Sequence, residues 1–509
     1  MKLINRTFTG DVPKATKWLF TSSGMFRDAC YQFVSMFLLT FVQFCGLGGV
    51  SFEEYLAMYA VITVVVIILR IWDGINDPIM GFIIEKCHFK SGKYRPWIFI
   101  GALLNSIVVI CMFWILPQGW AYVACFSIFY FLWDFTYTIN DIAFWSVLPS
   151  LSNDEKVRAN LTTLLSIFVS IGTFAVGGIV PMVASGQQEI TYKVTAIVTS
   201  VLFFLSQFIL VIFMKEKKVD KEVEKNDEKI KFKDIFGVLI KNDQLRVSII
   251  AILLYYTGSS ILVASGLNYF YFNFGYEKGG SYQLYFTIVY AAATLIAQCL
   301  YPLLISKLKM KRMKIFTISS IVTVLSYVGL FCFVFFPNYE KYFIVLCVFA
   351  FFAFFGQTLM SLILYIMIQD TIDYNEFKFG ERRESSIFSL RAFTAKIASS
   401  LQQLILYVSL VSASLFEISN QIANAEREFV GQPDVIKDVA SQITGPQNIE
   451  LWQRVVFQIG FCVVPLLLFL ATFILVKKKY KIDEDYHKEL VRGVEERKNE
   501  SRIEQNIQE

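Results

Sequence analysis

The sequence of 509 residues lacks most of the patterns on which soluble enzymes rely. It has two histidines, and its nine cysteines form no C-x-x-C pair, so no transition-metal constellation is visible. It contains no G-x-x-x-x-G-K-[ST] phosphate loop, no H-E-x-x-H and no G-x-S-x-G nucleophile elbow. These absences argue against an enzyme and against a bound cofactor.

Charged residues are also scarce. They make up 17% of the chain, against about 25% in an average soluble domain. Hydrophobic residues make up 55%, and the mean hydropathy is +0.53, which is typical of a polytopic membrane protein. The net charge of +5 forms no long basic face with interleaved aromatic residues, so we expect no nucleic-acid partner. The N-terminal stretch has no short apolar core before a cleavage site, so we expect no removable signal peptide.

Apolar runs of about 20 residues, the length that crosses a bilayer, recur along the chain. They predict an all-α protein with twelve transmembrane helices in two bundles of six. The predicted spans are 25–47, 54–84, 96–116, 120–149, 159–185, 192–214, 244–273, 281–305, 314–336, 341–369, 385–416 and 449–476.

Charge in the connecting segments predicts the orientation and the domains. Lysine and arginine concentrate in the loops around 86–95 and 307–314, so these loops, and with them both termini, are predicted to be cytoplasmic in a multi-pass cell-membrane protein. The predicted domains are 1–214, a charged cytoplasmic linker at 215–243, 244–476 and a cytoplasmic tail at 477–509. Within the second bundle, 417–450 is predicted to be a polar external loop with a short helix near 421–430.

An ionic cluster interrupts the second span. Arg70, Asp73, Asn76 and Asp77 lie inside a helix where each buried Arg or Asp costs roughly 2.5–3.5 kcal/mol. Asp73 and Asp77 are four residues apart and share one helix face. Carboxylate and amide oxygens suit Na⁺ or Li⁺, and the same pair of acids can carry a proton. We therefore predict a cation site here.

A purely structural alternative exists for this cluster. Arg70 and Asp73 can form an internal salt bridge while Asp77 lies at the cytoplasmic interface, although one base does not neutralise two acids. The corresponding position of the second half carries Tyr301-Pro302 instead of Asp77-Pro78, so a cation site belongs to the N-terminal half.

The fourth span carries a polar stripe. Thr138, Asp141 and Trp145 lie at i, i+3 and i+7, on one face of a helix. A carboxylate that accepts hydroxyl hydrogens, beside an aromatic face that covers an apolar ring surface, is suited to binding a sugar. Thr138 is one turn before Asp141 and can offer its hydroxyl to the cation. The alternative is that Trp145 is an interfacial residue and Asp141 pairs with a Lys or Arg.

Further charged residues enter the membrane in the first and eleventh spans. Arg27 and Asp28 are adjacent near the start of the first span, and Lys396 lies within the eleventh. Each can contact a substrate, close a cavity, or pair with the acids named above.

Three motifs resemble the glycoside–pentoside–hexuronide:cation symporters, a family of the major facilitator superfamily that includes the melibiose carrier. They are Arg70-x-x-Asp73-x-x-Asn76-Asp77-Pro78-x-x-Gly81, Gly92-Lys-Tyr-Arg-Pro-Trp97 and Asp141-Ile-Ala-Phe-Trp145-Ser-Val-Leu-Pro149. The resemblance covers nearly the whole chain, and the first motif with its Gly-Lys-Tyr-Arg-Pro-Trp continuation is the most specific part.

The resemblance implies a function and a set of site residues. The function it implies is symport of a sugar or glycoside with Na⁺, Li⁺ or H⁺, by alternating access across a lipid bilayer. It implies no cofactor beyond the coupling ion. The implied cation residues are Asp73, Asp77, Asn76 and Thr138, with Asp73 and Asp77 holding Na⁺ if the coupling ion is sodium. The implied substrate residues are Asp28, Asp141, Trp145, Arg27 and Lys396. Arg27 stands where the melibiose carrier has a lysine.

One departure from the family pattern concerns the fifth span. Its early part reads Leu161-Thr-Thr-Leu-Leu-Ser166 and has no arginine, unlike the melibiose carrier, which argues against a melibiose-like galactoside. The alternatives are a related carrier of a non-sugar solute and a non-transporting membrane sensor with the same fold.

Overall fold

The computed structural model describes residues 13–87, 89, 92–151, 155–214, 232–336, 339–381, 383–445 and 447–508. Over these residues the regular structure is helical, apart from one isolated bridge between Phe89 and Gly92. Most of the predicted linker, 215–231, lies outside the described residues, so the predicted domain division remains a prediction.

Six long helices form the described N-terminal part. A π-helical stretch, Val42–Gly46, extends the first helix. Ser51 caps the second helix by accepting a hydrogen bond from the backbone N–H of Glu54. The six helices are α1 (Lys14–Phe41), α2 (Phe52–Lys86), α3 (Arg95–Trp114), α4 (Trp120–Leu151), α5 (Glu155–Ala184) and α6 (Gln188–Phe213).

In the described part of the chain after residue 231, twelve α-helices follow. They are α7 (Phe232–Lys241), α8 (Asp243–Ala264), α9 (Gly266–Phe274), α10 (Tyr276–Ser306), α11 (Arg312–Cys332), α12 (Phe343–Phe379), α13 (Glu384–Ser412), α14 (Leu415–Glu428), α15 (Pro433–Ile443), α16 (Leu451–Gln458), α17 (Val464–Lys479) and α18 (Glu484–Gln508). A second π-helical stretch, Ile459–Val463, joins α16 to α17.

The predicted fold class is confirmed. Among the described residues, eleven stretches of helix are long and apolar enough to span a membrane, and a twelfth candidate is the pair Ser386–Ser412 and Leu415–Glu428, which bends by 93° between its two parts. The chain forms two compact units. Unit 1 consists of Met1–Asp227, Gly266–Ile288 and Leu410–Arg454, and unit 2 consists of Glu228–Ser265, Val289–Ser409 and Val455–Glu509.

Two predicted segments differ in detail from the structure. The seventh span was expected to be one helix over 244–273, but it breaks at Ser265, between α8 and α9. The polar segment 417–450 was expected to be a loop with one short helix, but it contains all of α15 and most of α14. The second difference arises from packing against distant parts of the chain, as described below for α14.

Close packing in unit 1 fixes α4 between α1 and α3. The rings of Phe20 on α1 and Phe144 on α4 stack with centroids 4.5 Å apart. Asn140 of α4 donates its Nδ2 to the carbonyl of Ile98, at 2.9 Å. A Cβ on Gly101 of α3 would lie 2.6 Å from the backbone nitrogen of Asn140, so glycine permits the approach. These contacts set the rotation of the polar stripe on α4.

Helix α14 packs deeply into unit 1. Phe416, Ile422 and Ala423 are buried. Arg427 donates to the carbonyl oxygens of Gly48 and Leu116, at 3.2 and 3.1 Å. Amphipathic spacing along this polar segment, together with these long-range partners, explains why it folds into a helix instead of the expected loop.

A buried acid anchors the same segment. Both carboxylate oxygens of Glu426 accept from the backbone N–H of Gln188, at 3.1 and 3.0 Å, and Oε1 also accepts from the hydroxyl of Tyr276, at 2.5 Å. Gln188 is the first residue of α6, so Glu426 satisfies an N–H that helix geometry leaves without an intrahelical partner and complements the positive end of the helix dipole.

A methyl group at Gly48 is expected to loosen α14. An added Cβ would lie 2.3 Å from the carbonyl oxygen of Ala423, and such overpacking typically costs about 1–3 kcal/mol. We expect the buried Cys45 thiol, in a chain without the other eight cysteines, to react about tenfold faster with a membrane-impermeant maleimide in Gly48→Ala. Gly237→Ala is the matched control, because a Cβ there meets nothing within 4 Å. Equal labelling rates in the two variants would contradict this packing.

The C-terminal tail is an ordered part of unit 2 over its described residues. Leu490 of α18 is buried, and the Nη1 of Arg497 donates to the carbonyl of Phe377, at 2.6 Å. Beside the start of α18, a hydrogen bond from Lys311 lowers the pKa of the exposed Asp485 carboxyl. The tail therefore packs on α12 instead of extending freely into solvent.

Candidate functional site

Arg27 of α1 bridges two membrane-embedded carboxylates. Its Nη2 lies 2.8 Å from Oδ1 of Asp28, and its Nη1 lies 3.1 Å from Oδ1 of Asp141 on α4. The Arg27 side chain is 2% exposed, so the guanidinium is held in a dry environment where its planar fork serves both acids. The structure thus brings together the three charged residues that the sequence placed on two separate helices.

Asp28 keeps part of its acceptor capacity for a ligand. Its Oδ1 accepts from Nη2 and Nε of Arg27, at 2.8 and 3.0 Å, and from the hydroxyl of Tyr137, at 3.1 Å. A carboxylate has about four acceptor positions on two oxygens, and among the described residues all three bonds go to Oδ1. Oδ2 therefore remains able to accept from a hydroxyl group.

Asp141 and Trp145 form the exposed side of the group made by Arg27, Asp28 and Asp141, and this side is called the open edge. Asp141 is 36% exposed and Trp145 is 39% exposed. A carboxylate inside a span faces water or protein and not lipid, so the exposed fraction of Asp141 is expected to contact water. The guanidinium carbon of Arg27 lies 4.3 Å from the ring centroid of Phe144 and 5.6 Å from that of Trp145. The alternative in which Asp141 pairs with a base is present in the structure, through Arg27, and its exposed fraction leaves room for a ligand as well.

The predicted cation residues of the second span lie on α2. Asp73 and Asn76 are buried and Asp77 is partly buried. The Nδ2 of Asn76 has no hydrogen-bond partner among the described residues. The guanidinium carbon of Arg70 lies 5.7 Å from the Trp133 ring centroid, which places Arg70 against α4.

Thr138 is buried on α4, the helix that packs along α2. Its participation in a cation site remains a prediction, as does the role of Asp77. Lys396 is partly buried on α13, within unit 2. Its predicted contact with substrate remains a prediction too.

Sequence reasoning missed one acid, Asp134. It is buried on α4, next to Trp133, whose ring centroid lies 5.7 Å from the guanidinium carbon of Arg70. Asp134 therefore lies close to the polar cluster of the second-span residues. Its spacing carried a signal, because Asp134 precedes Thr138 by four residues and Asp141 by seven, on one helix face.

The donor set of this cluster suits a monovalent cation. Asp73, Asp77 and Asn76 offer carboxylate and amide oxygens, which hard cations prefer. Within the described part of the chain, no three His, Cys, Asp or Glu side chains converge as a site for a metal ion. The donor chemistry is compatible with Na⁺, Li⁺ or a proton, and the identity of the ion remains a prediction.

Comparisons with known proteins give the family. The family described as MFS/sugar transport protein matches residues 33–484. The chain is 26% identical over 485 residues to the raffinose carrier protein of Pediococcus pentosaceus, which covers 92% of this chain and 69% of that protein. It is 27% identical to the lactose permease of Leuconostoc lactis, over 74% of this chain and 59% of that protein. The chain thus spans about three-fifths of that permease.

A solved structure supports the same fold. A bacterial homolog of the human lysosomal transporter Spinster, in an inward-facing and unoccupied conformation, superposes with a TM-score of 0.61 at 12% identity, covering 92% of this chain and 98% of that chain. The family match extends over most of the described spans, and the fold agrees with it. The chain therefore belongs to the MFS/sugar transport family, as the resemblance implied.

Proposed function

We propose that the protein is a secondary transporter that carries a sugar or glycoside together with Na⁺, Li⁺ or H⁺ by alternating access. The observation that carries the proposal is the Arg27 bridge between Asp28 and Asp141, with the Trp145 ring at its open edge. Acceptor oxygens beside an aromatic ring are the groups that bind a sugar hydroxyl and the apolar face of its ring. The names of the relatives support sugars as the substrate class.

The balance of charge supports cation coupling. The acids named above inside the spans of unit 1 outnumber the named bases by five to two. The acids are Asp28, Asp73, Asp77, Asp134 and Asp141, and the bases are Arg27 and Arg70. Carboxylates at membrane depth are costly unless a counter-ion or a proton accompanies them. A bound cation lowers that cost, and it is available from a gradient.

The mechanism that follows has three steps. A cation binds at Asp73 and Asp77 and reduces the negative charge of unit 1. The sugar then binds at Asp28, Asp141 and Trp145 with higher affinity, and linkage requires that the sugar raises the cation affinity by the same factor. The loaded protein reorients, as in other transporters built from two bundles. Both termini are predicted to remain on the cytoplasmic side of the cell membrane.

Uptake into vesicles tests the proposal. The purified protein is reconstituted, and accumulation of radiolabelled lactose and raffinose is followed with Na⁺ and pH gradients imposed separately. The proposal expects accumulation above the equilibrium level with at least one gradient, and a wider glycoside panel then defines the substrate. Sugar binding without accumulation under either gradient would indicate a sensor instead. Failure of every glycoside to bind would favour a non-sugar solute.

Removing the Trp145 ring is expected to weaken sugar binding. Stacking contributes about 0.5–1.5 kcal/mol beyond the buried area, so Trp145→Ala should raise the sugar Kd about tenfold while the cation Kd changes less than about twofold. Trp120→Ala is the matched control, since Trp120 is 50% exposed at the start of the same helix. Isothermal calorimetry of sugar and cation binding measures both constants. A larger effect on cation binding would contradict the assignment of the ring to the sugar.

A further inference from the structure

Two stretches of the chain leave unit 2 and pack within unit 1. The first is Gly266–Ile288, with α9 and the start of α10, and the second is Leu410–Arg454, with α14 and α15. Both are preceded and followed along the chain by residues of unit 2, and together we call them the strap. When one bundle of a transporter rocks against the other, the strap either stays on the N-terminal helices or moves with its neighbours in the chain.

Glu426 joins both stretches of the strap to α6. Its carboxylate accepts from the backbone N–H of Gln188, the first residue of α6, and from the hydroxyl of Tyr276, the first residue of α10. Glu426 is 1% exposed, and both of these donors are neutral. The buried charge is therefore stabilised by these bonds and by the positive end of the α6 dipole, and it loses both when the strap leaves α6.

Other hydrogen bonds hold α14 on the segment that follows α1. The Nε2 of Gln43 donates to Oγ of Ser419, at 2.9 Å, and the backbone N–H of Gly49 donates to Oδ1 of Asn424, at 2.7 Å. They add to the bonds from Arg427 described above. Water replaces such bonds when two surfaces separate, so a contact of this kind opens at lower cost than an apolar contact of similar area.

The backbone turns sharply where the second stretch begins, and again near its end. Helices α13 and α14 meet at 93°, and Ser414 between them has a φ of +53°, in the left-handed region that residues other than glycine rarely adopt. Beyond α15, Gly445 has a φ of +90°. Hinges are a few positions at the ends of elements that absorb such backbone changes. Ser414 and Gly445 are placed to let α14 and α15 swing together.

We infer that the strap is the gate on the predicted external side of the protein and that Glu426 holds it closed. In the closed state its bonds tie together the segments after α1 and α3 and the start of α6, at Gly48, Leu116 and Gln188. Release of these bonds lets the strap move with unit 2 and opens a path for the sugar. The inference rests on the proposed function and adds the element that must open.

A reversible cross-link tests whether the strap must open. In a chain without its nine native cysteines, Val50→Cys and Asn424→Cys are joined by a short bis-methanethiosulfonate and released by dithiothreitol. Both positions are partly exposed, and Asn424 bonds to the residue before Val50. The probe is the sugar that shows the largest gradient-driven uptake in the panel above.

The cross-link is expected to block transport and to leave the sugar site intact. Uptake by the linked protein should fall at least about tenfold and recover after reduction, while the sugar Kd in detergent stays within about twofold of the unlinked value. Each single-cysteine variant, treated with the same reagent, is the control and should keep its uptake.

Glu426→Gln tests the closing residue, because it keeps the shape of the side chain and removes its charge. With Cys45 as the sole cysteine, we expect its thiol to react about tenfold faster with a membrane-impermeant maleimide added outside intact cells. Glu428→Gln is the matched control, since Glu428 is exposed on the same helix, and its rate should stay within about twofold of the parent. Tyr276→Phe is a milder second variant, because it removes one bond to Glu426 and keeps the ring contact with Tyr271.

The outcomes distinguish this inference from the proposed function. Unchanged uptake by the linked protein overturns the gate and leaves symport intact. Loss of sugar binding together with uptake also overturns it, because the link then disturbs the sugar site. Labelling rates in Glu426→Gln and Tyr276→Phe that equal the rate in Glu428→Gln exclude Glu426 as the closing residue. A parent protein that accumulates no glycoside under either gradient overturns the proposed function, and the inference with it.

Discussion

Asp73→Asn is expected to abolish the stimulation of uptake by the coupling cation. Asp73 is buried on α2, and the substitution keeps its shape while it removes the charge that attracts the ion. Sugar exchange between equal concentrations on both sides requires no net cation movement, so we expect exchange to persist. Uptake driven by a Na⁺ or pH gradient should fall to the level measured without a gradient.

The matched control for Asp73→Asn removes the same charge elsewhere. Asp434, in the first turn of α15, is exposed, so Asp434→Asn reports any general effect of net charge on the membrane potential or the gradient. We expect it to transport as the wild type does. A normal response of Asp73→Asn to both gradients would exclude this acid as a cation ligand and would favour the alternative in which it forms only a salt bridge with Arg70.

The spans were predictable because the bilayer imposes length and composition on each one separately. Apolar runs of sufficient length gave twelve spans, and the helices follow them. The break at Ser265 could not be predicted in this way, because it depends on packing. A Cβ on the adjacent Gly266 would lie 2.8 Å from Oε1 of Gln283 on α10, so glycine permits the close approach of the next helix beside this break.

The structure of the polar segment 417–450 also could not be predicted from local composition. Its composition indicates exposure to water, and a loop follows from composition alone. What the composition does not reveal is that Glu426 reaches the N-terminus of α6, more than 200 residues earlier in the chain. Long-range polar partners of this kind bury a charged residue that local reasoning would leave in solvent.

The sequence predicts which types of residue form the candidate site, but not which of their side chains contact one another. Embedded acids stand out in apolar helices, so Asp28, Asp73 and Asp141 were visible from sequence. Asp134 was equally visible by that criterion, but no motif drew attention to it. The bridge by Arg27 depends on how α1 packs on α4, where Phe20 stacks on Phe144, and this packing has no signature in either helix alone.

Arg27→Gln is expected to have the second large effect, on folding as well as transport. It leaves Asp28 and Asp141 without their shared counter-ion, and breaking a buried ion pair from one side typically costs about 3–5 kcal/mol. We expect little folded protein by size-exclusion chromatography of detergent extracts. Arg27→Lys should fold but bind sugar about tenfold more weakly, because the ammonium group of lysine cannot reproduce the geometry in which the planar guanidinium contacts two carboxylates.

A second substitution separates the structural role of Arg27 from its role in transport. Asp28→Asn removes one of the two acids, so Arg27→Gln combined with Asp28→Asn lowers the excess negative charge and should restore folding. The double variant lacks both the guanidinium and the Asp28 carboxylate, so we expect no sugar binding by calorimetry and no gradient-driven uptake. Recovery of folding together with normal uptake would show that the bridge stabilises α1 against α4 and takes no part in binding the sugar. If folding recovers but uptake does not, the three charged side chains both stabilise the fold and bind the sugar.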